Sequence, residues 1–352
     1  MKTVTVNASK KYDVTIGAGL LENAGSVIKN YCRGGKVFTV SDANVFPLYG
    51  KALKESVEKQ GLEFHEFVFA AGEESKNINV FSEIVENMCG AGLTRGDVAV
   101  ALGGGVTGDI TGFAAATYRR GIPFVQIPTS LLADVDSSVG GKTAIDLANG
   151  KNQVGAFWQP SAVICDTDTL KTLPEEEYEN GCAEIIKYGM LGDRKLFEAL
   201  AATPVKNDYE NVITRCVEMK RDVVEADEFE SGERMVLNLG HTFGHSIEKL
   251  SGYTIPHGRA VAIGMNIITK AAVELGFAPK GVDGRLAEVL KTYSLPLETD
   301  FSAKDMVKAA VGDKKTVGGS ITLVVPTDIG KCILKKVPVE ELERFALAGG
   351  LK

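Results

Sequence analysis

What most constrains this 352-residue chain is a change of texture near residue 172. Before it, short apolar runs at 36–40, 63–69, 97–102, 124–127 and 162–165 alternate with helical patterns at 46–60, 77–90 and 106–118. Short strands separated by helices predict a parallel sheet covered by helices on both faces. Residues 1–17 alternate like a further strand and lack the apolar core of a signal peptide. After residue 172, helical patterns follow one another at 175–191, 211–225, 233–250, 259–275 and 282–293, and strand signals nearly vanish. A late pair, 321–326 and 331–337, flanks Asp328-Ile329-Gly330 and reads as a hairpin. The expected fold class is α/β: a domain over 1–172 built on a parallel sheet, then a mostly α-helical domain over 173–352.

Composition removes whole classes of function. Lys and Arg number 39 against 46 Asp and Glu, a net charge of −7, which argues against a general nucleic-acid binder. An anionic substrate would therefore need a local cluster of cations. No apolar run approaches the roughly 18 residues that cross a bilayer, so no membrane partner is expected. The six cysteines are scattered without a CxxC pair and read as reduced thiols of a cytoplasmic protein.

Gly103-Gly104-Gly105-Val106-Thr107-Gly108 follows the run 97–102 and opens a helical pattern, satisfying G-x-G-x-x-G in its proper context. Glycines admit a pyrophosphate to the backbone, and the helix start supplies free N–H groups and a positive dipole end. The acid that usually closes the next strand is missing from Phe124-Val125-Gln126-Ile127-Pro128; Asp42, ending an earlier strand, is the alternative partner for a ribose. Gly140-Gly141-Lys142-Thr143 matches only the end of a P-loop, because position 136 is Asp where G-x-x-x-x-G-K-[ST] requires Gly. A nucleotide triphosphatase is rejected on that ground.

Three of the four histidines, His241, His245 and His257, fall within 17 positions. Within 233–250, Arg234, Asn238, His241 and His245 are spaced to share one helical face, set among apolar neighbours. A polar stripe on such a helix is costly unless it faces a site. Spacing alone pairs His241 with His245 as metal ligands, with His257 or a carboxylate such as Glu184 as the third. Lys142 and Lys151 lie in glycine-rich, loop-like stretches, and Lys187, Lys220 and Arg234 lie on helical patterns. Such cations clamp phosphate or carboxylate. Together these features point to a metal-dependent enzyme using a nicotinamide cofactor on an anionic polyol.

The ordered strings Gly72-Glu73-Glu74-Ser75-Lys76, Leu102 through Asp109, Ile127 through Leu132, Val135 through Thr143, Gly150-Lys151-Asn152, Ala156 through Pro160 and Asn238 through His245 closely resemble the 3-dehydroquinate synthase family of sugar-phosphate cyclases. The resemblance runs from about Asp42 to Lys315. It implies a Rossmann-like N-terminal domain, a helical C-terminal domain and a homodimer. It places a divalent metal, zinc or cobalt, on Glu184, His241 and His257, and turns His245 to the substrate, against the reading from spacing. NAD contacts would fall on Asp42, Asn44, Ala71, Gly72, Glu73, Glu74, Ser75, Lys76, Gly104, Gly105, Val106, Thr107, Gly108, Asp109, Thr129, Ser130 and Thr169, Leu170, Lys171, Thr172. Lys142 and Lys151 would lie between cofactor and substrate.

Substrate positions implied by the same resemblance are Asp136, Lys142, Lys151, Asn152, Lys187, Lys220, Arg234, Asn238, His245 and Lys314, or its neighbour Lys315. Arg120 matches an arginine that reaches across the dimer. The implied substrate is a small phosphorylated sugar acid, 3-deoxy-D-arabino-heptulosonate 7-phosphate. Its C5 alcohol is oxidised transiently by NAD, phosphate leaves C7, the hydride returns, and ring opening with aldol closure gives 3-dehydroquinate. This is the second step of the shikimate pathway toward chorismate and aromatic amino acids. Two positions depart from the pattern: Ser130 replaces a usual Thr, and Asp134 replaces a neutral side chain, which is expected to add negative charge near the site.

Overall fold

The apolar runs of the first half become a seven-stranded sheet in the order β1-β2-β9-β6-β5-β3-β4. Its strands are β1 (Lys2–Asn7), β2 (Lys11–Gly17), β3 (Lys36–Asp42), β4 (Glu63–Phe69), β5 (Val98–Gly103), β6 (Phe124–Pro128) and β9 (Ala162–Asp166). The computed structural model describes residues 1–311 and 319–352. All neighbours in the sheet pair in parallel except β1 with β2, so residues 1–17 form an antiparallel hairpin where one strand was expected.

Alternation along the strands feeds two separate cores. Phe38, Val40, Ala99, Ala101 and Phe124 point to one, with Ile84 and Met88 of α3 (Ile78–Gly90) and Ile110 and Phe113 of α4 (Gly105–Thr117). Val37, Val98, Val100, Leu102, Val125 and Ile127 point to the other, with Ile28 of α1 (Ala24–Lys29) and Leu53 and Val57 of α2 (Phe46–Glu58). Every residue of β5 is buried. That explains why a parallel strand, covered on both faces, reads as one apolar run and not as an alternation. Each Val, Leu or Ile side chain so buried contributes about 1.5–3 kcal/mol.

Contacts divide the chain into two units, 1–174 with 209–229, and 175–208 with 230–352. The exchange of 209–229 was not anticipated by a boundary at 172. The responsible helix, α7 in chain order (Tyr209–Ala226), buries Ile213, Cys216, Val217, Lys220 and Val224 along one stripe. It packs on β1 and β2. Its end is tied down by the Asn7 N–H to Glu225 Oε1 at 2.6 Å, and just beyond it the Ser9 hydroxyl meets Glu228 Oε1 at 2.6 Å. A second surprise is the hairpin β7 (Lys142–Leu147) and β8 (Gly150–Phe157), which puts Lys142 and Lys151 on strands and not in loops.

The second unit holds α5 (Glu175–Gly192), α6 (Arg194–Ala202), α8 (His241–Leu250), α9 (His257–Glu274), α10 (Val282–Thr292), α11 (Ala303–Val311) and α12 (Val339–Ala348). Its hairpin pairs β10 (Ser320–Asp328) with β11 (Lys331–Pro338), close to the expected ranges. The continuous helix expected over 233–250 does not form. A 3-10 segment, Glu233–Asn238, is followed by Gly240 at φ 79°, and only then does α8 begin. The cause is close helix packing. A Cβ on Gly240 would lie 2.8 Å from the Val261 carbonyl oxygen of α9, and its left-handed backbone further favours glycine.

Candidate functional site

In the first unit the strand order itself marks a ligand position. The chain passes from β3 out to β4 and then returns to β5 on the opposite side of β3, so the connection reverses direction between β3 and β5. In open α/β sheets, ligands bind beyond the carboxyl ends of strands at such a reversal. Asp42 ends β3 and the glycine run follows β5, one on each side of it. The other expected cofactor residues follow the carboxyl ends of β4 (71–76), β6 (Thr129, Ser130) and β9 (169–172).

Gly104 stands at the N-cap of α4 with no side chain capping the helix, which leaves its first N–H groups directed outward. A Cβ there would come 3.3 Å from Ser130 Oγ, in the mouth of the turn. Asp42 accepts backbone N–H groups from Asn44 at 2.9 Å and Val45 at 3.1 Å, and the Thr107 hydroxyl at 3.4 Å. A glycine-lined helix start beside a strand-end carboxylate fits a dinucleotide's pyrophosphate and ribose.

Charges beside this turn interlock. Lys76, buried, lies 3.0 Å from Asp109, 3.5 Å from Glu73 and 3.9 Å from Asp146, while Lys151 lies 3.3 Å from Glu73. Burial would push the Lys76 ammonium down, but Asp109, Glu73 and Asp146 hold it above its usual range. Burial raises the Asp109 carboxyl despite Lys76. For Glu73 burial is outweighed by Lys76 and Lys151, and its carboxyl is held low. Asp146 was not foreseen. Its N–H donates to the Lys76 carbonyl at 2.7 Å and its carboxylate accepts the Asn152 N–H at 2.7 Å, tying the cofactor-side turn to the hairpin that carries Lys151 and Asn152.

Asp136 sits in a single π-helical turn, Ala133–Ser137, a feature often found at functional sites. Lys220 of α7 donates to its carbonyl at 2.7 Å and pairs with its carboxylate at 3.0 Å. Asp134, in the same turn, is fully buried beside Cys165 and Asp166. Burial pushes its carboxyl well above the usual range, which favours the protonated form. Lys142 is exposed on β7, and Lys171 is exposed and paired with Asp168 at 2.7 Å. Arg120 is exposed at φ 63°. Lys314 and Lys315 lie outside the described residues.

In the second unit, Glu184 on α5 meets the N-terminal residues of α8 and α9. Its Oε1 is 3.4 Å from His257 Nε2 and 3.8 Å from His241 Nε2. α9 is anchored to α5 by Arg259 to Glu179 at 2.8 Å and by the Gly258 N–H to Asn180 Oδ1. Those bonds carry His257 to Glu184, a contact that sequence spacing does not encode. His241 Nδ1 lies 3.0 Å from the Leu239 carbonyl oxygen, which accepts an N–H there and leaves Nε2 as the electron-pair donor.

Ligand atoms of Glu184, His241 and His257 lie within 4.8 Å of one another, as do those of His245, Glu248 and His257. One carboxylate and two imidazoles suit a catalytic zinc-type ion with a position left open. The His241–His245 ligand pair that spacing favours belongs to neither group; His245 faces Glu248 at 4.0 Å. Glu184 and Lys187 are each 1% exposed and pair with one another. For His257, burial opposes the charged form, but Glu184 and Glu248 outweigh it and raise its pKa to about 10.

Arg234 is buried in the 3-10 segment, and Asn238 donates to Glu230 Oε1 at 3.0 Å. Glu230, held at φ 56°, was missed by sequence reasoning and has no motif to betray it. Glu248 was missed too, although its place three residues after His245 and seven after His241 puts it on the same helical face.

The 3-dehydroquinate synthase N-terminal family matches residues 66–180, and the C-terminal family 181–316. The chain is 42% identical to 3-dehydroquinate synthase of Clostridium acetobutylicum over 352 aligned residues, covering 98% of this chain and 99% of that one. Among solved structures, 2-deoxy-scyllo-inosose synthase complexed with carbaglucose-6-phosphate, NAD+ and Co2+ is similar at TM-score 0.88 and 25% identity, covering 98% of this chain and 99% of that one. The 2-epi-5-epi-valiolone synthase of Streptomyces hygroscopicus subsp. jinggangensis, with NAD+ and Zn2+ bound, is similar at TM-score 0.88 and 28% identity, covering 98% of each. With both halves matched in order and a relative aligned from end to end, the chain belongs to the 3-dehydroquinate synthase family.

Proposed function

We propose that this protein is a 3-dehydroquinate synthase, converting 3-deoxy-D-arabino-heptulosonate 7-phosphate to 3-dehydroquinate and phosphate in the shikimate pathway. The observation that carries the reading is the Glu184–His241–His257 group, a metal-type donor set in a chain that also holds a glycine-lined cofactor turn. Support also comes from relatives of that name at 40–43% identity over nearly the whole chain. NAD would be held by Asp42, the 71–76 turn, 104–109, Thr129, Ser130 and 169–172, and zinc or cobalt by Glu184, His241 and His257. Bound there, NAD supplies reversible hydride exchange at a substrate alcohol and the metal supplies Lewis acidity to its oxygens.

The protein's own residues bind, orient and move protons. Lys142, Lys151 and Arg234 offset the charge of a substrate bearing both carboxylate and phosphate. Lys187 and Lys220 are fixed by Glu184 and Asp136, so each presents an ammonium in a defined place. Asn152, held at φ 54° by Asp146, and Asn238, held by Glu230, orient substrate hydroxyls. His245, partly exposed, serves as local proton relay. The leaving phosphate itself takes the C6 proton, so the protein need not supply a strong base.

The protein is proposed to act as a homodimer in the cytoplasm, with Arg120 reaching toward the partner subunit's substrate. No described helix is long and apolar enough to cross a membrane. The test is incubation with the heptulosonate phosphate and a trace of NAD+, following phosphate and NADH absorbance with and without chelator. Phosphate far in excess of NAD+, no net NADH, loss on chelation and dehydroquinate as product are expected. Steady NADH accumulation without phosphate would replace the reading with a polyol dehydrogenase. Turnover only with other sugar phosphates would point to a related cyclase.

A further inference from the structure

We propose that Glu248 is a positioning residue of the metal centre, acting through His257. This rests on the reading of Glu184, His241 and His257 as metal ligands. Glu248 lies on α8, is 4% exposed, and has its Oε2 at 3.3 Å from His257 Nδ1. The opposite ring nitrogen, Nε2, lies 3.4 Å from Glu184 Oε1. A carboxylate on Nδ1 does two things to an imidazole: it fixes the tautomer with its proton on that nitrogen, and it makes Nε2 a stronger electron-pair donor.

His241 is oriented in the same sense by different means. Its Nδ1 faces the Leu239 carbonyl oxygen at 3.0 Å. A backbone carbonyl comes with the chain and cannot be lost by substitution, whereas the partner of His257 is a side chain. His257 is the first residue of α9, following Pro256 at the N-cap. Glu248 therefore supplies from α8 an orienting contact for a ligand that stands at the very start of its own helix. The same carboxylate is 4.0 Å from His245 Nε2, so the metal ligand and the proposed proton relay share one buried anion.

An alternative geometry is contained in the same atoms: His245, Glu248 and His257 also lie within reach of a single ion. The two roles differ in stoichiometry. A positioning carboxylate leaves one metal per chain, whereas a ligand carboxylate gives either a second metal or a relocated one.

The experiment uses the full chain stripped of metal by chelator and titrated with Co2+, following the visible d–d absorption and competing with a chelator of known affinity. Wild type is expected to take one Co2+. Glu248→Ala is expected to bind the same single ion 10–100-fold more weakly, with an altered d–d envelope. Glu248→Gln, whose amide oxygen still accepts the Nδ1–H, recovers part of that affinity and restores the envelope. It also keeps the test usable if the Ala chain fails to fold. Affinity within twofold of wild type in both variants would overturn the proposal while leaving the metal centre intact. So would two Co2+ in wild type with one lost in Glu248→Ala, since Glu248 would then be a ligand. Wild type that binds no Co2+ would instead remove the metal reading on which the proposal stands.

Discussion

Two clusters of buried charge, one in each unit, solve the same electrostatic problem differently. Around Lys76, three carboxylates and two ammonium groups are all side chains of the protein, and Lys76 stands within 4 Å of each acid. Around Glu184, the negative charge of Glu184 and Glu248 is met by Lys187 and by a His257 whose pKa is raised to about 10. The first cluster is closed by the chain itself. The second gathers donor atoms that a divalent cation could take up, because a carboxylate and imidazole lone pairs are metal ligands. A ligand arriving at the first finds a finished surface; a ligand arriving at the second completes it.

The largest expected effect breaks the second cluster. Glu184→Ala removes the one carboxylate shared by His241 and His257 and is expected to lower kcat/KM about 10³-fold, the worth of several kcal/mol of charge stabilisation. Metal content measured on the purified variant should fall with it. Full occupancy by zinc in Glu184→Ala would show that the two clusters do not differ in the way described.

Breaking the first cluster is expected to cost folding more than metal. Lys76→Ala leaves Asp109 and Glu73 without their buried cation and is expected to destabilise the chain by about 3 kcal/mol, because removing one partner strands the other's charge. Chemical denaturation with and without Zn2+ measures this. The loss should persist at saturating metal, and its disappearance on adding Zn2+ would erase the distinction between the clusters.

The smallest effect comes from Asp134, a carboxylate in the same unit whose burial favours its protonated form. Its folded pKa is raised, so the folded chain keeps a proton that the unfolded chain releases above about pH 4. Its contribution to stability is therefore complete below that pH and is lost as pH rises. Asp134→Asn, which carries no titrating proton, is expected to gain stability relative to wild type as pH rises from 5 to 8. Urea unfolding at both pH values measures the gap; a gap independent of pH would mean that Asp134 is already charged in the fold.

Much of this organisation was legible before the fold was known. The parallel sheet could be read because strands covered on both faces are apolar throughout, as Val98–Gly103 is. The glycine run could be read because only glycine permits close approach at a strand-to-helix turn. The histidine cluster was legible as chemistry but not as geometry. Periodicity put His241 and His245 on one helix, yet it could not say that α9 would deliver His257 to Glu184. Nor could it say that Gly240 would break the helix, since the cause is the backbone of α9, 21 and more positions away.

The sequence by itself determined the alternation of strands and helices in the first half, the mostly helical second half, the glycine turn and the family, because these depend on local periodicity and on residue chemistry. Tertiary structure alone decided which carboxylate meets which cation. It placed α7 with the sheet, put Asp146 between Lys76 and Asn152, buried Asp134 beside Cys165, and set Glu248 behind His257. Each of these depends on distances between residues remote in the chain, and on a local dielectric that exists only after packing has excluded water.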